Sequence, residues 1–115
     1  MEIKNGKIEG VKLGFEYHGI LTAGLTVVFG EGGTGASMGG LSLGGEFTDL
    51  YIRKLMNTLD VDDWSKIDGT FVRGKIDDSN RLIAIGHIMK DKWFNQEELG
   101  EKFRNGKNNK NKTTE

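Results

Sequence analysis

The 115-residue sequence predicts an α+β fold: one small domain, a mainly antiparallel β-sheet and two helices, near 47–60 and 95–105. Three observations carry this. Apolar and polar residues alternate through 11–29, the period of strands with one buried face. From Phe47 the apolar spacing changes to three and four, the period of an amphipathic helix. Strands and helices then follow in blocks rather than in strict βαβ alternation, which favours antiparallel pairing.

In the first block Val11, Leu13, Phe15 and Tyr17 alternate with Lys12, Gly14, Glu16 and His18. Leu21, Ala23, Leu25, Val27 and Phe29 repeat the pattern, and only His18-Gly19-Ile20 separates the two runs. A hairpin turning at Gly19 follows. Residues 1–8 add a short edge piece.

Residues 30–45 (GEGGTGASMGGLSLGG) are half glycine, and their first six letters satisfy G-x-G-x-x-G. The dinucleotide fingerprint needs a helix directly after the glycines, so that its N-terminus meets the pyrophosphate. Here more glycines follow, and Glu31 places a negative charge where phosphate would come. No Gly-Lys-Ser or Gly-Lys-Thr completes a P-loop either. Glycine within a strand marks a bulge or a close approach, and Leu41-Ser42-Leu43 alternates. A third, glycine-lined strand is therefore favoured over a plain loop.

The first helix carries Phe47, Tyr51, Leu55 and Leu59 on one stripe, with Thr48 as its expected N-cap and Asp49 in its positive first turn. Residues 62–67 (DDWSKI) read as a single capped turn. A second hairpin joins 70–76 to 81–89 through Asp77-Asp78-Ser79-Asn80. Its second strand holds Leu82-Ile83-Ala84-Ile85, apolar on both faces, and is expected at the centre of the sheet. Asn95 can cap the last helix while Glu98 returns the bond, with Phe94 stapled to Leu99 and Gly106 as the stop.

Composition narrows the function classes. The net charge of -1 excludes a strongly basic nucleic-acid binder, but it is unevenly spread. Residues 104–115 carry four basic groups and one acid, against twelve and sixteen in 1–103. The domain is thus set at 1–104, and the Asn-rich basic tail at 105–115 is expected to be disordered. With no cysteine, disulfide and thiolate chemistry are excluded and a reducing compartment fits. No leader or apolar run of about 20 residues suggests export or a membrane span. His18 and His87 lie apart without a ligand pattern, so no metal site is expected.

Catalytic groups are scarce. Asp62-Asp63 and Asp77-Asp78 sit in turns, where adjacent carboxylates rarely converge on one substrate atom, and Ser37 and Ser42 lack a nucleophile elbow. No catalytic residue, cofactor or enzymatic role is therefore assigned. Lys90-Asp91-Lys92-Trp93-Phe94 offers a different chemistry at the entry to the last helix. Its rings can stack on a base while its ammonium groups meet phosphate. On the residues alone, core closure by Trp93 and Phe94 is the stronger reading. Arg53, Arg73 and Arg81 are further phosphate candidates, and His87 reads as a partly buried core histidine.

Three segments carry a resemblance: Gly14-Phe15-Glu16-Tyr17-His18-Gly19-Ile20-Leu21-Thr22, the glycine stretch ending Gly39-Gly40, and Ile85-Gly86-His87-Ile88-Met89-Lys90-Asp91-Lys92-Trp93-Phe94. Over about 8–103 the chain resembles the bacteriophage anti-Thoeris signal sponges, the first Thoeris anti-defence family. The resemblance implies a non-enzymatic phage protein in the cytoplasm of an infected bacterium. Such proteins capture cyclic ADP-ribose isomers, and some also hold cyclic oligonucleotides. They assemble as homo-oligomers, dimers or hexamers, with pockets shaped by more than one protomer. It further implies that Phe94 or Trp93 stacks on adenine, that Arg73, Lys90 and Lys92 meet the diphosphate, and that Asp91 or Asn95 bonds base or ribose. Gly39 and Gly40 would let backbone approach the ligand or a partner protomer. The rival reading is a phage inhibitor that binds a host or CRISPR defence protein through its acidic face.

Overall fold

A computed structural model of the protein describes residues 1–30, 33–39 and 44–113. Six antiparallel strands form one sheet in the order β3-β2-β1-β4-β5-β6. They are β1 (Glu2–Phe15), β2 (Leu21–Phe29), β3 (Thr34–Gly39), β4 (Phe71–Ile76), β5 (Leu82–His87) and β6 (Trp93–Phe94). Helix α1 (Gly45–Leu59) precedes β4 and α2 (Gln96–Thr113) follows β6. The α+β class expected from the periodicities is the class observed.

The first hairpin turns as the sequence predicts. Gly19 takes φ 80°, and the Glu16 carboxylate accepts from the His18 N–H at 2.6 Å, closing the turn with a side chain. The N-terminal residues are no edge piece, however. They belong to β1, whose first half pairs with β4 (Glu2 opposite Ile76, Lys7 opposite Phe71) and whose second half pairs with β2. The ladder shifts register between Ile8 and Val11, where Gly10 holds φ 117°. A bulge at this point bends the strand as it passes from one partner to the other. Interior position thus goes to β1. Strand β5 lies next to the two-residue β6, near the rim rather than at the centre. Its apolar run has a local cause: Ile85 is core, while Ile83 lines a surface groove.

The glycine-rich segment does hold a third strand, at Thr34–Gly39, ahead of the Leu41-Ser42-Leu43 run on which it was read. That run, like Gly40, Glu31 and Gly32, lies outside the described residues. Gly30 leads from strand to strand, so the fingerprint-like letters open no helix. Gly39 faces Gly24 so closely that a Cβ on Gly39 would stand 2.4 Å from the Gly24 Cα. Position 39 therefore has no room for a side chain, whereas a Cβ on Gly24 would press only on the Met38 carbonyl at 3.0 Å.

Helix α1 begins two residues earlier than its expected start. Gly44, at φ 98°, is its N-cap, and no side chain caps it. Thr48 instead sits inside the helix, where its buried hydroxyl donates to the Leu21 carbonyl at 2.6 Å. The α1 stripe of Phe47, Tyr51, Leu55 and Leu59 fills the core against Ile8, Leu25, Val27, Val72, Ile85 and Phe94. Asp63 caps the expected single turn at Trp64–Lys66, accepting from the Ser65 N–H. Asp77 organises the second hairpin, accepting from the N–H groups of Ser79 and Arg81, both at 2.9 Å. Asn95 caps α2 through its side-chain oxygen, which accepts from Glu97 N–H and Glu98 N–H at 3.1 Å each. That helix runs through Gly106 to Thr113 rather than stopping there. Among the described residues no helix is long and apolar enough to cross a membrane.

Candidate ligand groove

The junction of β5, β6 and α2 is built by alternation. In the short strand β6, Phe94 points into the core and Trp93 points out, each opposite one residue of β5 (Ile85 and Gly86). The Trp93 indole lies flat enough on β5 that a Cβ at Gly86 would stand 2.7 Å from its ring. A glycine is therefore required beneath it. Arg73 and Lys75, two residues apart on one face of β4, complete the arrangement. The Arg73 guanidinium carbon lies 4.6 Å from the Trp93 ring centroid and the Lys75 Nζ 4.2 Å. Cations at these distances are drawn to the negative face of the π system.

Arg73 does more than flank the ring. Its Nε donates to the His87 carbonyl at 2.8 Å and its Nη2 to the Lys90 carbonyl at 2.7 Å, tying β4 to the connection between β5 and β6. That connection folds on His87, whose Nδ1 accepts from the N–H groups of Met89 and Lys90, both at 3.0 Å. The ring nitrogen with two incoming N–H donors is an acceptor, so the proton of neutral His87 resides on Nε2. Nε2 stands 3.4 Å from the Asp60 carboxylate.

A groove of about 400 Å³ opens beside Trp93, between the outer side of β5 and the first turns of α2. Trp93, Ile83 and Leu99 supply its apolar wall, and Lys54, Lys75 and Lys102 bring three ammonium groups to it. Asn95 and Glu98 add an amide and a carboxylate. With the Asn95 oxygen committed to the helix cap, its NH₂ is the group left to donate. The result is an aromatic surface in a positive rim, with donors and one acceptor at the end of a helix. Such a set suits a small anion that carries a ring system and hydroxyls.

The structure brings some of the residues expected at this corner together and sends others elsewhere. Trp93, Asn95 and Arg73 converge here. Phe94 does not: it is fully buried, with its ring edge-on to Tyr51 at 4.8 Å between centroids. It cannot stack on a bound base while the core is intact. Lys90 and Lys92 turn the other way, to Asp60 at the C-cap of α1, each ammonium 2.6 Å from a carboxylate oxygen. Those two hydrogen bonds lower the Asp60 carboxyl from its ordinary 3.8 to about 2. They also offset the placing of an acid at the negative end of a helix dipole. Asp91 accepts from the Trp93 indole N–H at 3.2 Å and so orients the ring. Gly39 lines a separate groove of about 570 Å³ on the face of β1, β2 and β3, with Lys12, Gly24 and the hydroxyl pair Thr26–Ser37.

Lys54, Lys75 and Lys102 were not singled out from the sequence, and Glu98 only as a capping partner of Asn95. A signal existed for two of them. Lys75 shares a strand face with Arg73 by period two, and Lys102 follows Glu98 by one helical turn. Lys54 reaches the groove only because α1 packs beside α2, which no local pattern states. Compared with family models, curated proteins and solved structures, the chain matches none.

Proposed function

We propose that the protein is a phage immune-evasion factor. It binds and sequesters cyclic ADP-ribose-type signals in the host cytoplasm, as the resemblance to the anti-Thoeris sponges implies. It binds without turnover, and cyclic oligonucleotides are further candidate ligands. The observation that supports this reading most is the half-exposed Trp93 ring set between Arg73 and Lys75 at the mouth of a lysine-rimmed groove. A sequestering protein needs affinity alone, and stacking with charge-assisted hydrogen bonds in a preformed cleft supplies it. In the revised assignment, adenine takes the place of the Lys75 ammonium over the outer face of Trp93, while the released Lys75, with Lys54 and Lys102, meets the diphosphate. Asn95 and Glu98 bond base or ribose, Asp91 and Arg73 hold the ring in place, and the protomers assemble into a homo-oligomer.

The test is calorimetric titration with cyclic ADP-ribose isomers, followed by heating and chromatography of the ligand. Saturable binding that weakens with salt, is lost in Trp93→Ala and returns the nucleotide intact supports the reading. A chemically altered nucleotide overturns it in favour of hydrolysis, and no binding of any isomer overturns it outright. The rival, inhibition of a host or CRISPR defence protein, is favoured by exposed apolar side chains outside the groove, Phe71 and Met89 among them. A stoichiometric host protein retained on the immobilised chain, independent of added nucleotide, would establish it.

A further inference from the structure

The alternation in 11–17 predicts a buried face, yet the folded chain leaves much of that face open. Leu13 is 44% exposed, Phe15 74% and Tyr17 97%. The backbone of the same segment is open as well. Strand β1 leaves β4 after Lys7, and β2 pairs with only one side of 11–15. Among the described residues nothing pairs with the other side. Apolar side chains and an unsatisfied strand edge thus coincide, a combination that invites strand addition.

The segment is also self-complementary. Reading outward from Gly14 in VKLGFEY, the neighbours are Leu13 and Phe15, then Lys12 and Glu16, then Val11 and Tyr17. Laid antiparallel on a second copy about a two-fold axis at Gly14, it sets Leu13 against Phe15 twice over, while Glu16, whose carboxylate closes the hairpin turn, and Tyr17, in that turn, lie just past the strand. The backbone agrees. The Glu16 N–H donates to the Ile20 carbonyl across the hairpin. Antiparallel alternation then turns the N–H and C=O groups of Val11, Leu13 and Phe15 away from β2, toward the open side. Of these, Leu13 and Phe15 are the residues the two-fold arrangement pairs through hydrogen bonds. Gly14 falls on the axis, where the two strands come closest. Nothing in the protomer requires a glycine there, since a Cβ would meet no atom within 4 Å.

We propose that the end of β1 about Gly14 pairs with the same segment of a second copy, joining two sheets edge to edge in a symmetric dimer. This deepens the homo-oligomer part of the function proposed above by naming its surface. A two-fold contact of this kind is isologous and closes on itself, so it yields a dimer rather than a fibre. Phe15 and Tyr17 of both copies bring on the order of 600–1,000 Å² of aromatic surface, at about 150–250 Å² each. That is small for a stable interface, so the dimer is concentration-dependent.

Sedimentation velocity over roughly 1–500 µM chain tests this without nucleotide, so that failure of the ligand reading and failure of the dimer are separate results. The mass is expected to rise from 12.7 kDa toward twice that value with concentration, and Phe15→Lys is expected to hold it at one chain. Wild-type protein that stays at one chain throughout, or a Phe15→Lys variant that associates like wild type, overturns the proposal. Because the chain has no cysteine, Gly14→Cys supplies a second reading. Opposed residues about 4.5 Å apart at the axis can form a disulfide, whereas Ser79→Cys in the distant β4–β5 turn has no such partner. Mild oxidation should link Gly14→Cys into dimers and leave Ser79→Cys monomeric; equal linkage of both removes the register.

Discussion

Replacing Phe94 by alanine separates a core role from a ligand role for the aromatic pair at the β6–α2 junction. The Phe94 side chain is fully buried, packs edge-on against Tyr51 and stands opposite Ile85 on the neighbouring strand. Deleting a phenyl ring from such a site costs about 3–5 kcal/mol, the lost transfer energy plus the cavity left behind. About 1 kcal/mol of this belongs to the aromatic pair with Tyr51. A domain of this size has roughly 5–15 kcal/mol in total, so from about a fifth of its stability to all of it is at stake. At about 4 °C per kcal/mol, the melting temperature should fall by on the order of 12–20 °C. Circular dichroism melts measure this directly, with Trp93→Ala as the comparison. Trp93 is half-exposed, and its cation–π contacts are worth about 0.5–1 kcal/mol each, so that variant should melt only a few degrees lower. A Phe94→Ala protein that melts within about 3 °C of wild type yet binds no nucleotide would refute this reasoning, since it would place the ring in the ligand site.

Three other substitutions probe the same corner. Asp60 has its folded value lowered to about 2 by Lys90 and Lys92, so the stability it contributes is present above its ordinary 3.8 and lost as pH falls through the folded value. Urea midpoints of wild type and Asp60→Asn should therefore differ at neutral pH and converge between about pH 4 and 2; a gap that stays constant over that window removes the ion pairs from the account. Gly86→Val places a Cβ 2.7 Å from the Trp93 ring and must displace it, at about 1–3 kcal/mol, which near-ultraviolet circular dichroism and a shifted melt would report. An unchanged indole signal would show that the ring does not rest on β5. Asn95→Ala removes the cap of α2 and should cost about 1 kcal/mol, read as a shift in the urea midpoint, while no shift would mean the cap is dispensable.

What could be read from the sequence was what short-range pattern controls. Period two located β1 and β2, the change to three-and-four spacing located α1, and turn chemistry at Gly19, whose N–H donates to the Glu16 carbonyl, and at Asp63, Asp77 and Asn95 is realised by the hydrogen bonds of those residues. Features fixed by tertiary partners were not legible. Thr48 has the chemistry of an N-cap, but the Leu21 carbonyl takes its hydroxyl and Gly44 begins the helix instead. Strand β5 is apolar enough for a central position, yet β1 is the strand shared by both halves of the sheet. For the candidate site, the sequence pointed to this corner but not to which of its side chains meet there. Phe94 and Trp93 are adjacent, so a strand must send them to opposite faces, and which of them faces solvent depends on β5. Lys90 and Lys92 read as anion ligands because Asp60, thirty residues upstream of Lys90, carries no local sign of proximity.

The two-partner strand β1 also dictates an order of events during synthesis. Its second half finds β2 within a few residues, so a hairpin can close before β4 leaves the ribosome. Its first half must wait for β4, since Glu2 meets Ile76. Until then the nascent chain presents an unzipped N-terminal arm. Removing that arm would spare the early hairpin and strand the C-terminal leaf of the sheet without its template.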